Sequence, residues 1–308
     1  MTMTIVITMC KLFFAMAVGF YLNKRDILNP EINKKLSSLI VDVTCPFLII
    51  SSASSVGSGD AKDVLLLLIT GAAVYILLPF IAMLVVKILR VPKDSRGVYQ
   101  CMVMFSNNFF MGYPVVEALF GGFAIFYTTI FHMGFNFLFF TYGTFIMTKD
   151  AGAVSKFNPK RLINTGVIAS IIALIIYFAG IQVPEIILSP LSFVGNITTP
   201  LSMLVIGSNM ASYKLSDVFK EKKIYAMVIV RLVILPLLAG FGMSLVTDNA
   251  TLISIVVMTV GMPVGALVAM GSSAFEKQGK IASIGVVVTT LFSMVTIPLT
   301  AVLLNLIL

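Results

Sequence analysis

Charge is scarce in this sequence. Among 308 residues there are 21 Lys or Arg and 13 Asp or Glu, 11% in all, whereas a soluble domain carries about a quarter. So few charges cannot solvate a water-facing surface of this size, which excludes an ordinary soluble globular fold. Histidine occurs once, and the three cysteines, Cys10, Cys45 and Cys101, lie in apolar runs. None has metal-ligand spacing, so they read as small packing hydrophobes and neither metal nor cofactor is expected. The chain has no HExxH, no GxSxG and no phosphate-binding loop, and no polar stretch long enough to house an extramembrane active site. An enzyme is therefore not expected. A small-residue cleavage site is also missing where the first apolar run ends, at Asn23-Lys24-Arg25. That run reads as a retained helix rather than a removed signal peptide.

What the chain has instead is apolar length. Hydrophobic residues make up 59% of it and its mean hydropathy is +1.05, so the solvent to look for is the bilayer, crossed in units of about 20 apolar residues. Apolar runs bounded by charge and turn residues give ten spans, at roughly 4–22, 35–55, 63–88, 98–120, 125–148, 161–180, 188–210, 223–246, 251–273 and 281–306. Of the 21 basic residues, 18 fall in the odd-numbered loops, one (Lys62) in an even-numbered loop, and two (Lys11 and Arg231) within spans. The positive-inside rule then places the odd loops in the cytoplasm and both termini outside, in the plasma membrane. The net charge of +8 is thus an orientation signal, and no nucleic acid is implied.

Prolines reveal an internal repeat. Residues 30–46 read PEINKKLSSLIVDVTCP and residues 184–200 read PEIILSPLSFVGNITTP, identical at six of 17 positions. The first block enters span 2 and the second span 7. LLPF around Pro79 in span 3 recurs as ILPL around Pro236 in span 8. GYPV around Pro114 in span 4 recurs as GMPV around Pro263 in span 9. Related features therefore return five spans apart. An odd number of spans per repeat inverts the second copy, an arrangement that suits alternating access. The expected fold is an all-α membrane protein of ten transmembrane helices, with residues 1–150 and 151–308 as two inverted five-helix repeats.

Spans 4 and 9 differ from ordinary membrane helices. SNNFFMGYPVVEALFGG (106–122) and MTVGMPVGALVAMGSS (258–273) each place Gly two residues before Pro. Proline removes a donor and glycine tolerates irregular backbone. Paired interruptions at matching places in two halves point to a midplane substrate site. Simple proline kinks are the competing reading, against which stand the adjacent amides of Asn107 and Asn108, costly in hydrocarbon without partners.

Other polar residues fall within spans. Arg231 reads either as a side chain snorkelling to the cytoplasmic interface or as a fixed counter-charge for an anionic substrate or for Asp42. Asp42 lies before Pro46 where Asn196 lies before Pro200, which suits a coupling site or a helix-packing hydrogen bond. His132, with Asn136 one turn later, reads as a proton relay or as a structural donor. Glu117 and Lys11 lie nearer the outer ends of their spans, where solvation is cheap. The Phe135–Phe140 run reads as lipid-facing or packing surface.

The span-4 sequence SNNFFMGYPVVEALFG resembles the fourth-helix motif of the auxin efflux carrier family, in which an Asn precedes a Gly-x-Pro break. GKIASIGVVVTTLFSMVTIPL (279–299) resembles that family's last helix and RLVILPLL (231–238) its eighth. The family contains plant auxin exporters and bacterial carriers of malate or malonate, and shares a crossed-helix fold with bile-acid sodium symporters. The resemblance implies that helices 4 and 9 are broken and cross, that Asn107 holds a substrate carboxylate, and that Pro114 and Pro263 are the crossover prolines. This chain lacks the long loop that plant members carry between spans 5 and 6, and has Glu117 where they tend to carry a basic residue.

Together these readings predict a secondary transporter moving a small organic anion by alternating access. The anion is a dicarboxylate such as malate or malonate, or an auxin-like monocarboxylate; an anion channel and a sodium-coupled symporter are the alternatives. Asn107, Asn108, Gly112, Pro114, Thr259, Gly261, Pro263 and Arg231 are the expected substrate-site residues, and Asp42, His132 and Asn136 the coupling candidates. The expected partners are the anion and the lipid bilayer, with a homodimer left open.

Overall fold

A computed structural model describes residues 2–55, 61–150, 162–212, 222–272 and 275–307. Among them there is no strand, and helix recurs in each stretch where hydropathy placed a span. Seven segments are long and apolar enough to cross a membrane: Val6–Lys24, Pro30–Ser55, Ala61–Ile88, Phe123–Asp150, Glu185–Ala211, Lys222–Ser244 and Lys277–Ile307. Thr165–Phe178 and Ala250–Val260 are shorter apolar helices. The stretch read as span 4 is divided into Arg96–Met104 and Tyr113–Phe120, with irregular backbone and a π-helical turn between.

The outer surface is hydrocarbon. Phe80, Leu237, Phe241 and Val295 expose more than 60% of their surface, which water would penalise and lipid tails do not. Backbones approach closely inside. Helix Thr2–Lys24 packs along Thr198–Ala211, and a Cβ at Gly19 or at Gly207 would overlap the main chain of Leu204 or Met16 respectively. Only glycine permits that approach, which supplies dispersion contact where no hydrophobic effect drives association.

Three prolines sit just after a π-helical turn. Cys45 N–H closes on Ile40 O, Tyr113 N–H on Asn108 O and Leu235 N–H on Val230 O, each immediately before Pro46, Pro114 and Pro236. A proline ring clashes with the carbonyl one α-turn back, and the wider turn carries that carbonyl aside. The helix therefore runs on through Pro114, which lies in the first turn of Tyr113–Phe120. This corrects the expectation that Pro114 marks the break in span 4. The interruption falls earlier, at Phe105–Asn107, where the backbone leaves the helical region (Phe105 extended at φ −108°, ψ 104°; Asn107 at φ −84°, ψ 60°). Pro79 likewise lies inside one continuous helix, Ala61–Ile88.

The phenylalanine run divides by face. Phe135 and Phe139 are buried and stacked at 5.8 Å, and Phe105 meets both edge-on at 5.2 and 5.0 Å. Phe137, between them in sequence, is exposed and suited to lipid. The aromatic cluster thus buttresses the break in span 4 from the side of Phe123–Asp150.

Candidate functional site

Breaking a helix in a membrane frees main-chain donors and acceptors, each of which needs a partner inside the protein. The stretch 105–107 and the stretch 261–265 satisfy one another. Asn107 N–H donates to Pro263 O at 2.8 Å, Gly265 N–H donates to Phe105 O at 2.8 Å, and Ser106 pairs with Val264 as an isolated antiparallel bridge. Val264 N–H donates to Thr289 Oγ1 at 3.0 Å. A Cβ on Gly265 would lie 3.1 Å from Ser106 O and 3.3 Å from Phe105 O, so the close crossing depends on that glycine. The two interrupted stretches therefore meet main chain to main chain at one crossing point, with Pro263 in it and Pro114 outside it.

Arg231 completes the arrangement from behind. Its Nε donates to Met262 O at 3.0 Å and its Nη1 to Val103 O at 2.8 Å, one carbonyl from each interrupted segment. Arg96–Met104 and Ala250–Val260 both end here, so the guanidinium faces the negative ends of two helix dipoles. With 1% of its surface exposed, Arg231 does not snorkel. Nor does it pair with Asp42, which is exposed and accepts from Thr165 Oγ1 at 3.2 Å. Charge-assisted bonds to two carbonyls and the dipole field offset the roughly 2.5–3.5 kcal/mol that insertion scales assign to such a residue.

The other expected residues distribute around this frame. The Asn107 carboxamide makes no hydrogen bond among the described residues and lines two clefts. Asn108 is turned away from them: its Nδ2 lies 2.9 Å from Ser106 Oγ, to which it donates, and 3.1 Å from His132 Nδ1. His132 Nδ1 also meets Tyr75 OH, giving a buried polar chain from Ala61–Ile88 to the crossing. Gly112 lies directly beneath the Asn108 side chain. Thr259 Oγ1 donates back to Ile255 O at 2.7 Å, and Gly261 ends Ala250–Val260 against Pro236. Neither Thr259 nor Gly261 is among the residues lining the clefts beside Asn107. Asn136 accepts from Asn164 Nδ2 at 3.2 Å, so it does not share a partner with His132, and a break at Met133 separates the two.

The larger cleft, about 640 Å³, runs from Asn107 past Asn209 and Ser37 to Lys34. The smaller, about 100 Å³, is bounded by Asn107, Asn136, Asn164 and Val41. Phe110 and Ala266 line both. The larger cleft leads toward the start of Pro30–Leu39 and the end of Thr198–Ala211, where Lys24 Nζ donates to Ala211 O at 3.0 Å. Its lining includes Asn33, buried and donating to Ser208 Oγ and Asn209 Oδ1 at 2.8 Å each. On the far side of the crossing, half-buried Glu117 accepts from Thr199 Oγ1 at 2.7 Å, joining Tyr113–Phe120 to Thr198–Ala211 rather than facing solvent alone. Asn33, Phe110 and Tyr75 were not singled out from sequence. Asn33 lies inside the repeated proline block, but Phe110 and Tyr75 are apolar-run residues whose position only packing reveals.

Comparison with known proteins gives the family. A family model described as membrane transport protein matches residues 4–301. The chain is also similar to a protein of Methanocaldococcus jannaschii described as an uncharacterized transporter, with 23% identity over 290 residues, 92% of this chain and 93% of that one. With apolar helices throughout and a family match over nearly its whole length, the chain belongs to the auxin efflux carrier family of membrane transport proteins and is a multi-pass membrane protein.

Proposed function

We propose that this protein is a secondary transporter that moves a small organic anion across the plasma membrane by alternating access, with the anion's carboxylate held at Asn107. The observation that carries the reading is the unpartnered Asn107 carboxamide, at the inner end of the larger cleft and next to the crossing. The helix that begins at Asn108 turns its first main-chain N–H groups back toward this point, and such donors together with the dipole favour an anion. Arg231 adds a fixed positive charge behind the crossing, acting through the field rather than by contact. Lys34 supplies a second cation along the larger cleft, which suits a dicarboxylate better than an auxin-like monocarboxylate.

Two inverted five-helix repeats, 1–150 and 151–308, remain the proposed architecture. Support comes from neighbour relations that survive a shift of five spans. Thr2–Lys24 packs on Thr198–Ala211 as Thr165–Phe178 packs on Cys45–Ser52. Ala61–Ile88 packs on Arg96–Met104 as Leu235–Ser244 packs on Ala250–Val260, and Tyr113–Phe120 on Phe123–His132 as Ala266–Ser272 on Glu276–Ile307. With odd loops cytoplasmic and both termini outside, the larger cleft opens inward and the Glu117–Thr199 bond lies on the closed, outer side. Proton coupling would run through His132, which alone among the coupling candidates touches Asn108.

The test is uptake into proteoliposomes of the purified protein, offered malate, malonate, other dicarboxylates and indole acetate, with and without proton and sodium gradients. Saturable uptake accelerated by trans substrate, and lost in Asn107→Ala, is the expected result. Currents far above carrier turnover without exchange would instead identify a channel, and a requirement for sodium a symporter. No movement of any organic anion would overturn the proposal.

A further inference from the structure

Away from the crossing, the end of Ala61–Ile88 and the start of Arg96–Met104 enclose a third cleft of about 390 Å³, lined by Met83, Val86, Lys87, Arg96 and Gln100. Two of its lining residues, Lys87 and Arg96, are cationic, and Gln100 adds an amide. Arg96 Nε donates to Val91 O at 3.2 Å, which orients the guanidinium, and among the described residues its terminal nitrogens have no hydrogen-bond partner. Tyr142 OH donates to Gln100 Oε1 at 3.0 Å, so the Gln100 amide nitrogen is available to an acceptor. Among the described residues neither Lys87 nor Arg96 forms an ion pair. The nearby carboxylates are engaged elsewhere: Asp150 accepts from Gly97 N–H and Asp94 is bound by Lys277. Asp150 still acts on Arg96 at longer range, so the cleft is not stripped of negative field.

Its setting narrows the ligand. Lys87 occupies the last turn of a helix long and apolar enough to cross the membrane, and below it the same helix exposes Met83, Leu84, Phe80 and Ile76. A headgroup-sized concavity with a mostly apolar wall, and with Arg96, Lys87 and Gln100 among its lining residues, therefore stands at the end of an open apolar ridge. Planar guanidinium donors match phosphate oxygens bidentately, and basic pockets at the membrane edge hold anionic headgroups. We propose that this cleft binds the phosphate of an anionic phospholipid, with the acyl chains lying along the Ile76–Met83 face. Free phosphate shares the headgroup chemistry but lacks the apolar contact. The site is separate from the substrate clefts, so the outcome does not depend on what is transported.

The test is thermal melting of the purified full-length protein in neutral detergent, titrated with phosphatidylglycerol, phosphatidylcholine or inorganic phosphate. Phosphatidylglycerol should stabilise at concentrations about tenfold below phosphatidylcholine, a preference of about 1.4 kcal/mol, and phosphate alone should give no shift. The preference should vanish in the double variant Lys87→Gln/Arg96→Gln and survive in part in Arg96→Lys. Should the double variant fail to fold, each single Gln variant must move the phosphatidylglycerol midpoint by about threefold or more. Equal stabilisation by phosphatidylcholine, an unchanged preference in the Gln variants, or full protection by phosphate alone would each overturn the proposal.

Discussion

The main-chain N–H of Asn107 donates to the carbonyl of Pro263 at 2.8 Å, so the residue expected to hold the substrate is fixed by its own backbone to the opposite broken helix. Any shift of one interrupted segment against the other must break or carry this bond. The side chain of Asn107 takes no part in it and faces the clefts.

Asn107→Ala should therefore separate function from stability. With no protein partner for the carboxamide, melting temperature should change little, as for a substitution within about 0.5–1 kcal/mol. Transport should fall at least about tenfold, corresponding to roughly 1.4 kcal/mol for one lost hydrogen bond to a charged group. Uptake and melting measured on the same preparation decide this, and a large stability loss with normal uptake would reverse the assignment.

Arg231→Met should lower stability. Removing the guanidinium leaves Val103 O and Met262 O without the donors that satisfy them, and each buried unpaired carbonyl costs about 1–3 kcal/mol. A fall in stability of about 2–5 kcal/mol is expected, with Arg231→Lys intermediate because one ammonium lacks the fork that spans both carbonyls. Thermal melting in detergent reads the order wild type, Lys, Met.

Gly265→Ala tests the closeness of the crossing. The added methyl would stand 3.1 Å from Ser106 O, a main-chain atom that cannot rotate away, so the two breaks must separate. Weakening of the Asn107–Pro263 and Gly265–Phe105 bonds should lower uptake about tenfold or more. Gly242→Ala, which meets nothing within 4 Å, is the control expected to leave uptake unchanged.

Asp94 gives a pH-dependent contact outside the spans. Its hydrogen bonds from Lys277, chiefly, and from Ser95 hold its carboxyl below the usual aspartate range. A depressed folded-state value means the contribution is present above the unfolded value, about 3.9, and is lost as pH falls through the folded one. Sensitivity of the melting temperature to Asp94→Asn should be full at neutral pH and should fade as pH drops below the unfolded value of about 3.9. Because the pair is exposed, raising salt should erase the difference.

How far the sequence could be read follows from the range of each interaction. Helix, apolar face and the interruption near Pro263 depend on residues within a turn of one another, and all were legible. Pro114 misled because the same Gly-x-Pro spelling serves a π-helical turn in one segment and a true break in the other. The choice depends on whether an opposing strand segment waits to take the freed bonds. For Ser106 and Asn107 it does, at Pro263–Gly265.

Composition and spacing alone determined that this chain lives in a bilayer, that it is helical, and that spans 4 and 9 are irregular; the resemblance to the family pointed to Asn107. Tertiary structure alone decided that Arg231 ties both breaks instead of reaching Asp42, that Asn108 turns to His132 while Asn107 faces the clefts, and that Glu117 meets Thr199. The reason is one of distance along the chain. Inside a membrane every polar group must find a partner, but whether that partner is four residues away or 128, as Val103 is from Arg231, is fixed only when the helices pack.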